Sequence, residues 1–260
     1  MNELFVPRVG GVLSADIAVP EHDREARFYD RVLRTGDGPL WRDDLMNNLG
    51  IPIIGLGRRS PEYADLPLQW MPHIQVADVA ASVRRALDLG GRALMHQKDA
   101  AGNSQWAVLQ DPNGAAFGVI PVIPREAIPP VPPAAGPVGR IARLDLTVSD
   151  AAAARDFYRE VIGWSVQDVP VEDGDGRYAD YAMLGGDGQG AATIRHARGP
   201  NAGLPPVWML YLTVGDIAES LRRAEAEGGR VIKEVRDRDG AYVCAAIQDP
   251  VGVCFGLVPG

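Results

Sequence analysis

The chain has 260 residues, of which 26 are basic and 34 acidic, so its formal net charge is −8. Hydrophobic residues make up 46% and charged residues 23%, which is typical of globular domains and argues against disorder. The acidic balance disfavours nucleic acid and anionic membranes as partners, because both attract positively charged surfaces. A small molecule is therefore the expected partner.

The sequence also bears on the compartment. No apolar run approaches the ~20 residues that span a bilayer, and the start lacks the charged-then-apolar order of a signal peptide. Two cysteines, Cys244 and Cys254, are too few for a disulfide framework and fit a reducing compartment. We expect a cytoplasmic protein without membrane contact, and the sequence leaves a homodimer open.

The first part of the chain predicts strands and helices in alternation. Leu13–Val19 alternates apolar and polar residues, as a half-buried strand does. Glu21–Leu33 then changes to the apolar spacing of a helix. A second strand contains Ile74 and Val76, and a helix over Asp78–Leu89 follows it. This part of the chain therefore contains two strand–helix pairs.

Each half of the chain closes on an Asp-Pro-x-Gly sequence, which suits a type I turn between two strands. The turn at 111–114 predicts a hairpin of Gln105–Gln110 with Ala115–Ile120. The turn at 249–252 predicts the equivalent hairpin of Tyr242–Gln248 with Val253–Val258. The two halves therefore end in the same local structure.

This similarity extends over the whole chain, which contains an internal repeat. Tyr29 matches Tyr158, an offset of 158 − 29 = 129, and the later blocks match at an offset of 138. In the second copy, Asp150 is placed to cap a helix over Ala151–Ile162, and Gly163 to end it. The matching blocks are residues 14–29 with 143–158, 70–82 with 208–220, and 111–118 with 249–256.

A proline-rich segment separates the two copies. Seven of the 17 residues from 121 to 137 are proline, which favours an extended, semi-rigid spacer over a strand inside a sheet. We therefore predict a first domain over residues 1–120, a linker over 121–138 and a second domain over 139–260.

The motifs Phe157-Tyr158, Gly163-Trp164, Val-x-Asp and Asp-Pro-x-Gly resemble those of the vicinal oxygen chelate superfamily. This superfamily contains glyoxalases, bleomycin-resistance proteins and extradiol dioxygenases. The resemblance implies an α+β fold of two tandem domains, each a pair of βαβββ units that form an open, cup-shaped mixed sheet with the ligand in the cup. The first copy keeps Phe28-Tyr29 but lacks the Gly-Trp pair.

The resemblance also implies where a metal would bind. Metal-dependent members hold a divalent ion with His, Gln or Glu on the first strand of each unit and with Glu on the final strand. Serine, methionine, glycine and arginine do not form a site for such an ion. We therefore predict no metal and no other cofactor. The positions that correspond to the ligands are Ser14, Met71 and Gly118 in the first copy, and Arg143, Met209 and Gly256 in the second.

Polar residues remain near these positions. By strand periodicity Asp16 and His73 face the first cup, and as a carboxylate and an imidazole they can transfer protons. Asp145 and Tyr211 are their counterparts, with Arg143 expected to pair with Asp145. In the alternative interpretation each Asp bonds backbone or arginine at a sheet end. The full set of predicted ligand-binding residues is Ser14, Trp70, Met71, Gln75, Arg143, Asp145, Trp208, Met209, Tyr211 and Thr213.

Three functions follow, in order of preference. The first is a metal-independent glyoxalase-like protein that binds a small, partly apolar metabolite and transforms it by acid–base chemistry, with Asp16 and His73 as the catalytic residues. As an enzyme it would be a lyase, an isomerase or a hydroxylase-like member of the superfamily. The second is a protein that sequesters a small molecule without chemistry, as bleomycin-resistance members do. The third is a metal-dependent lyase or dioxygenase. His22, at the start of a helix, is expected to be solvated.

Overall fold

The computed structural model describes residues 7–33, 41–42, 45–47, 52–127, 139–174 and 176–260. Within these residues a strand, a helix and three strands follow one another four times. The helices are α1 (His22–Leu33), α2 (Val79–Asp88), α3 (Ala151–Ile162) and α4 (Ile217–Ala226). The strands are β1 (Val12–Val19), β2 (Trp41–Arg42), β3 (Leu45–Asn47), β4 (Pro52–Arg58), β5 (Met71–Val76), β6 (Arg92–Lys98), β7 (Ser104–Gln110), β8 (Ala116–Pro121), β9 (Ile141–Val148), β10 (Ser165–Asp173), β11 (Gly176–Leu184), β12 (Gly190–His196), β13 (Trp208–Val214), β14 (Arg230–Arg236), β15 (Tyr242–Gln248) and β16 (Cys254–Pro259).

The strands form two open, mixed sheets. Their orders are β2-β3-β4-β1-β5-β8-β7-β6 and β10-β11-β12-β9-β13-β16-β15-β14. Each sheet takes all its strands from one copy, so the strand pairing follows the sequence repeat. This confirms the predicted α+β fold of four βαβββ units. None of the helices in the described part of the chain combines the length and the apolar character that crossing a membrane requires.

The helix boundaries follow from their caps. The Asp150 side chain accepts a hydrogen bond from the backbone N–H of Ala153 at 2.9 Å and so begins α3 as predicted. Gly163 ends α3 at φ +87°, a left-handed conformation that glycine adopts without steric cost. Asp78 caps α2 in the same way, through the N–H of Ala81.

By its contacts the chain divides into two compact units that do not coincide with the two copies. Each unit contains one βαβββ segment from each copy. The predicted domain boundaries at 120 and 139 therefore remain a prediction, and part of the proline segment, residues 128–138, lies outside the described residues. Unit 1 comprises Met1–Leu13, Met71–Ile128 and Leu144–Trp208, and unit 2 comprises Ser14–Trp70, Pro129–Arg143 and Met209–Gly260.

In unit 2 the motif tyrosine of one copy binds the turn aspartate of the other. The Tyr29 hydroxyl on α1 donates to Asp249 at 2.9 Å and accepts from the Trp70 indole N–H at 3.1 Å. Phe255 packs against Tyr29, with ring centroids 5.0 Å apart. The Ser220 hydroxyl on α4 donates to the Val32 carbonyl on α1 at 2.8 Å, so the two helices are joined directly.

Unit 1 repeats this arrangement with the copies exchanged. Tyr158 on α3 interacts electrostatically with Asp111, and its hydroxyl accepts from the Trp208 indole N–H at 2.9 Å. Ser82 on α2 donates to the Val161 carbonyl on α3 at 2.7 Å. The two most typical sequence motifs, Phe-Tyr and Asp-Pro-x-Gly, therefore join segments from different copies inside each unit.

Candidate functional site

The first strand of the first copy presents one face to the α1 core and a second, open face. Ala15, Ile17 and Val19 are at most 2% exposed, whereas Asp16 is half-buried on the opposite side of the strand. In the parallel pairing with β4, Asp16 lies opposite Gly55, and Ala18 lies opposite Gly57.

That glycine, Gly57, leaves space on the open face. Among the described residues, a methyl group placed on Gly57 would meet only the Ile17 carbonyl oxygen, at 3.8 Å. Gly57 is also not one of the glycines with positive φ. Its backbone conformation therefore does not require glycine. What Gly57 contributes is that it has no side chain to occupy this face of the strand.

The second copy fills the equivalent face. In the pairing of β9 with β12, Asp145 lies opposite Thr193, and Thr147 lies opposite Arg195. Asp145 is only 4% exposed, and its Oδ2 is 3.4 Å from Nε of Arg195. The sequence predicted Arg143 as the cation beside Asp145; the ion pair described for Asp145 is with Arg195, from another strand.

Arg143 stacks on an aromatic ring, and its predicted pairing with Asp145 stays a prediction. Its guanidinium carbon lies 3.9 Å from the centroid of Tyr211, and Tyr211 is 4% exposed. Such a cation–π contact stabilises the guanidinium in a poorly solvated position. The Tyr211 ring also lies over Gly256, its partner in the pairing of β13 with β16, so closely that a Cβ there would overlap the ring.

The first copy has the same arrangement with an imidazole. His73 lies opposite Gly118 in the pairing of β5 with β8, and a Cβ on Gly118 would be 2.7 Å from Cδ2 of His73. Nine-tenths of real Cβ contacts are longer than 3.4 Å, so any larger residue at this position would displace the ring.

The residues present do not fit the divalent ion of the superfamily. The final-strand positions, Gly118 and Gly256, lack a donor, and rings occupy the space into which a glutamate side chain would extend. The remaining positions provide a hydroxyl, two thioethers and a guanidinium, which are poor ligands for such ions. Within the described residues, no three His, Cys, Asp or Glu side chains are grouped to hold a metal.

Several predicted ligand-binding residues lie in the core. Trp70 and Trp208 are 0% exposed and donate their indole N–H groups to tyrosine hydroxyls, and Met71 and Met209 are buried. These contacts agree with the interpretation of strand aromatics as core residues. These four side chains are therefore part of the hydrophobic core.

Two further predicted residues bind backbone. The Gln75 amide accepts from the Ile123 N–H at 2.9 Å and donates to the Gly11 carbonyl at 3.3 Å. The Thr213 hydroxyl accepts from the Arg140 N–H at 2.9 Å. Both side chains therefore form hydrogen bonds with backbone groups of the segments that precede or follow the sheets, which is a structural role.

The two predicted catalytic residues lie in different compact units. Asp16 is on β1 in unit 2, and His73 is on β5 in unit 1. Both side chains are partly exposed, as a reactive group requires. Their joint action is still a prediction, which rests on strand periodicity. The prediction for His22 is wrong: this residue is 8% exposed, and its Nε2 lies 3.0 Å from the Leu56 carbonyl oxygen.

Sequence reasoning missed a buried carboxyl group. Glu25 on α1 is 0% exposed and lies near Asp249, and burial together with that neighbouring charge raises the pKa of Glu25 to about 8. Its equivalent in the second copy is Ala154 (25 + 129). Burial also raises the pKa of the Cys254 thiol to about 11, so this cysteine is not a thiolate at neutral pH.

Comparison with known families agrees with this architecture. The model of the Glyoxalase/Bleomycin resistance protein/Dioxygenase superfamily matches residues 140–257, and the model of the glyoxalase-like domain matches residues 14–120. The chain belongs to the glyoxalase/bleomycin resistance/dioxygenase superfamily. Both copies match, so the repeat found in the sequence is a repeat of this domain.

Relatives of this chain include proteins of Mycobacterium bovis and Streptomyces peucetius. The present chain is 34% identical over 114 residues to CFP32 of Mycobacterium bovis, a protein whose name assigns it provisionally as a glyoxylase. That match covers 44% of this chain and 43% of the relative, so it spans less than half of either protein. It is 29% identical to the anthracycline biosynthesis protein DnrV of Streptomyces peucetius, over 74% of this chain and 66% of that protein.

Among solved structures, the Mn(II)-bound glyoxalase of Novosphingobium aromaticivorans has a similar fold. The TM-score is 0.58 at 16% sequence identity, over 98% of this chain and 83% of that one. At this identity the similarity concerns the fold alone. The metal in that glyoxalase contrasts with the donor set of the present chain.

Proposed function

We propose that this superfamily member binds a small, partly apolar metabolite in its first copy without a metal ion. The observation that carries the proposal is the position of the rings over the final-strand glycines. His73 lies over Gly118 and Tyr211 over Gly256, where metal-dependent members place a glutamate. The first copy is favoured because, among the residues that the structure describes, Gly57 leaves space on its open face, whereas Arg195 fills that of the second copy.

The chemistry that we propose for the first copy is acid–base transfer by Asp16 and His73. An imidazole titrates near pH ~6.5 and can both accept and donate a proton close to neutrality. The second copy has Tyr211 at the equivalent position, and a phenol titrates near pH ~10. This difference favours catalysis in the first copy. Sequestration without chemistry is the alternative.

The absence of a metal is tested first. The protein is expressed in medium supplemented with manganese, iron, nickel or zinc, dialysed, and examined by elemental analysis. We expect far less than one ion per chain in every medium, because the ligand positions lack suitable donors. An ion held in stoichiometric amount after dialysis would contradict the proposal.

The location of the ligand is tested with a pair of variants. Gly57→Leu fills the open face of the first copy, and Arg195→Leu changes the equivalent position of the second copy. In a metabolite screen by thermal shift, we expect Gly57→Leu to lose the hits of the wild-type protein and Arg195→Leu to retain them. The reverse result places the ligand in the second copy.

Catalysis is separated from sequestration by the fate of a hit. The metabolite is incubated with the protein and analysed by mass spectrometry. We expect a change of mass that disappears in Asp16→Asn and in His73→Phe but persists in His96→Phe, a control that removes another strand histidine. Recovery of the intact compound from a tight complex would support sequestration instead.

A further inference from the structure

A carboxyl group of α1 lies inside unit 2. Glu25 is 0% exposed, and both oxygens of its side chain are buried and form no hydrogen bond with the described residues. A carboxylate in such a place gives up its hydration without compensation, so burial favours the neutral, protonated form. The position of Glu25 therefore indicates that its side chain carries a proton in the folded protein.

Beside Glu25 lies a second carboxyl group, Asp249, in the turn between β15 and β16. Asp249 is 4% exposed and interacts electrostatically with Glu25. Its Oδ2 accepts from the Tyr29 hydroxyl at 2.9 Å, and its Oδ1 accepts from the N–H of Val253 at 2.7 Å. These donors stabilise the ionised form of Asp249, whereas no donor among the described residues binds Glu25. Of the two carboxyl groups, Glu25 is thus the one that keeps a proton, and only a protonated carboxyl group can donate a hydrogen bond to the other.

The charges that act on Glu25 come from Asp249 and from its own part of the chain. Burial and Asp249 raise the pKa of Glu25 to about 8, against an ordinary value of 4.5. Arg24 acts in the opposite direction but also binds Glu21, at 3.0 Å. The elements packed against α1 add ion pairs of Glu227 with Arg27 and Arg31, of Glu219 with Arg222 and Arg223, and of Arg58 with Asp23, the exposed Glu225, and the Cys254 thiol, which is neutral because burial raises its pKa to about 11.

Unit 1 contains the same turn without the second acid. Asp111 takes the place of Asp249, and Tyr158, the counterpart of Tyr29, interacts with it electrostatically. At the position of Glu25 this unit has Ala154 (25 + 129). The chain therefore contains this junction once with a buried acid on the helix and once without it, which separates the effect of the acid from that of the fold.

We propose that Glu25 and Asp249 form a pH-sensitive latch, which holds α1 to the turn between β15 and β16. In the closed latch the protonated Glu25 donates a hydrogen bond to Asp249. In the open latch the turn has separated from α1, and water reaches Glu25, which releases its proton. Because opening releases a proton, a rise in pH favours the open form. The latch concerns the regulation of the fold and does not depend on the ligand proposed for the first copy.

The size of the effect follows from the proton that the closed latch retains. Between pH 4.5 and about 8 the closed form holds a proton that the open form has lost. The equilibrium constant for opening therefore rises about tenfold for each pH unit in this range. Unit 1 has Ala154 in place of the helix acid, so we expect its junction to be far less sensitive to pH.

Hydrogen exchange of two indole N–H groups tests the latch in the full-length protein. The Trp70 indole N–H binds the Tyr29 hydroxyl at 3.1 Å, and the Trp208 indole N–H binds the Tyr158 hydroxyl at 2.9 Å in unit 1. Both tryptophans are 0% exposed, so each N–H exchanges with water when its junction opens. NMR spectra of isotope-labelled protein follow both groups. After correction for the intrinsic effect of pH on exchange, we expect the protection of Trp70 to fall about tenfold per pH unit between about pH 5.5 and 7.5, and that of Trp208 to change far less.

Two variants connect the effect to the buried acid. Glu25→Gln keeps the shape of the side chain and has no proton to release, so we expect the protection of Trp70 to become independent of pH. Glu21→Gln changes an exposed glutamate at the same end of α1 and should retain the pH dependence of the wild type.

A measurement on the wild-type protein alone makes the test independent of how the variants fold. The carbon chemical shift of the Glu25 side-chain carboxyl group reports its protonation, and we expect the protonated value at about pH 6.5, below the pKa of about 8. An ionised Glu25 at this pH in the folded protein overturns the proposal. A pH dependence that Trp208 shares with Trp70, or one that persists in Glu25→Gln, overturns it as well.

Discussion

Glu25 is expected to make the stability of the protein depend on pH. The pKa of a glutamate is ordinarily 4.5, and in the folded protein burial and the charge of Asp249 raise the pKa of Glu25 to about 8. Between these values the folded state holds a proton that the unfolded state has released. The free energy of unfolding therefore falls as pH rises from 4.5 to 8, by about 1.4 kcal/mol per pH unit from this group.

The substitution Glu25→Gln removes this proton and keeps the size of the side chain. Relative to the wild type, the variant should become more stable by about 3 kcal/mol when the pH is raised from 5 to 7.5. The comparison across pH cancels any packing effect of the amide, because that effect is the same at both pH values. Urea titration followed by tryptophan fluorescence measures the difference.

Matched variants make the result specific. Glu21→Gln changes an exposed glutamate that pairs with Arg24, and we expect a change below about 0.5 kcal/mol at each pH. Ala154→Glu places a carboxyl group at the equivalent point of the second copy and should introduce the same pH dependence, which Ala154→Gln should not. A wild-type and Glu25→Gln difference that is constant from pH 5 to 7.5 would refute the reasoning.

Three further variants test individual contacts by urea titration. Gly118→Ala should destabilise the protein by about 1–3 kcal/mol through crowding of His73, and the penalty should shrink in a His73→Ala background; an equal penalty in both backgrounds contradicts this contact. Tyr158→Phe should cost about 1–3 kcal/mol because it leaves the buried Trp208 indole N–H without its acceptor; a neutral effect would show that the bond is unimportant. Gly163→Ala should cost about 1 kcal/mol because of its positive φ, and no loss would argue against that conformation.

Local features of the fold could be predicted from the sequence because their causes are local. The limits of α3 follow from its own cap residues, Asp150 and Gly163, and the residues of the structure agree with those of the prediction. The Asp-Pro-x-Gly turns were likewise evident, since the type I turn depends on four consecutive residues. Because the sequence repeats, the fold predicted for one copy also applied to the other.

The partners of these residues could not be predicted, because they come from distant parts of the chain. Tyr29 and Asp249 are 220 residues apart, and each belongs to a contiguous motif of its own copy. Glu25 resembled an ordinary first-turn glutamate, which helices favour. Arg195 is not part of any recognisable sequence motif. Each of these residues acquires its role only when strands or helices from elsewhere are packed against it.

The exchange of segments between the copies has a consequence for the order of folding. Unit 1 lies within a continuous stretch apart from its first residues, and the interaction of Tyr158 with Asp111 closes a loop of 158 − 111 = 47 residues. Unit 2 joins the start of the chain to its end, across the 220 residues between Tyr29 and Asp249. By loop length alone, closing unit 2 costs about 1.2–1.5 kcal/mol more in chain entropy.

The ribosome synthesises Asp249, the partner of Tyr29, 220 residues after Tyr29 itself. During this time the apolar face of α1 in the first βαβββ segment stays uncovered, while the residues of unit 1 are synthesised and fold. Nascent chains should expose that face until the second copy has been synthesised, and unit 1, which closes the shorter loop, should fold before the long-range closure of unit 2.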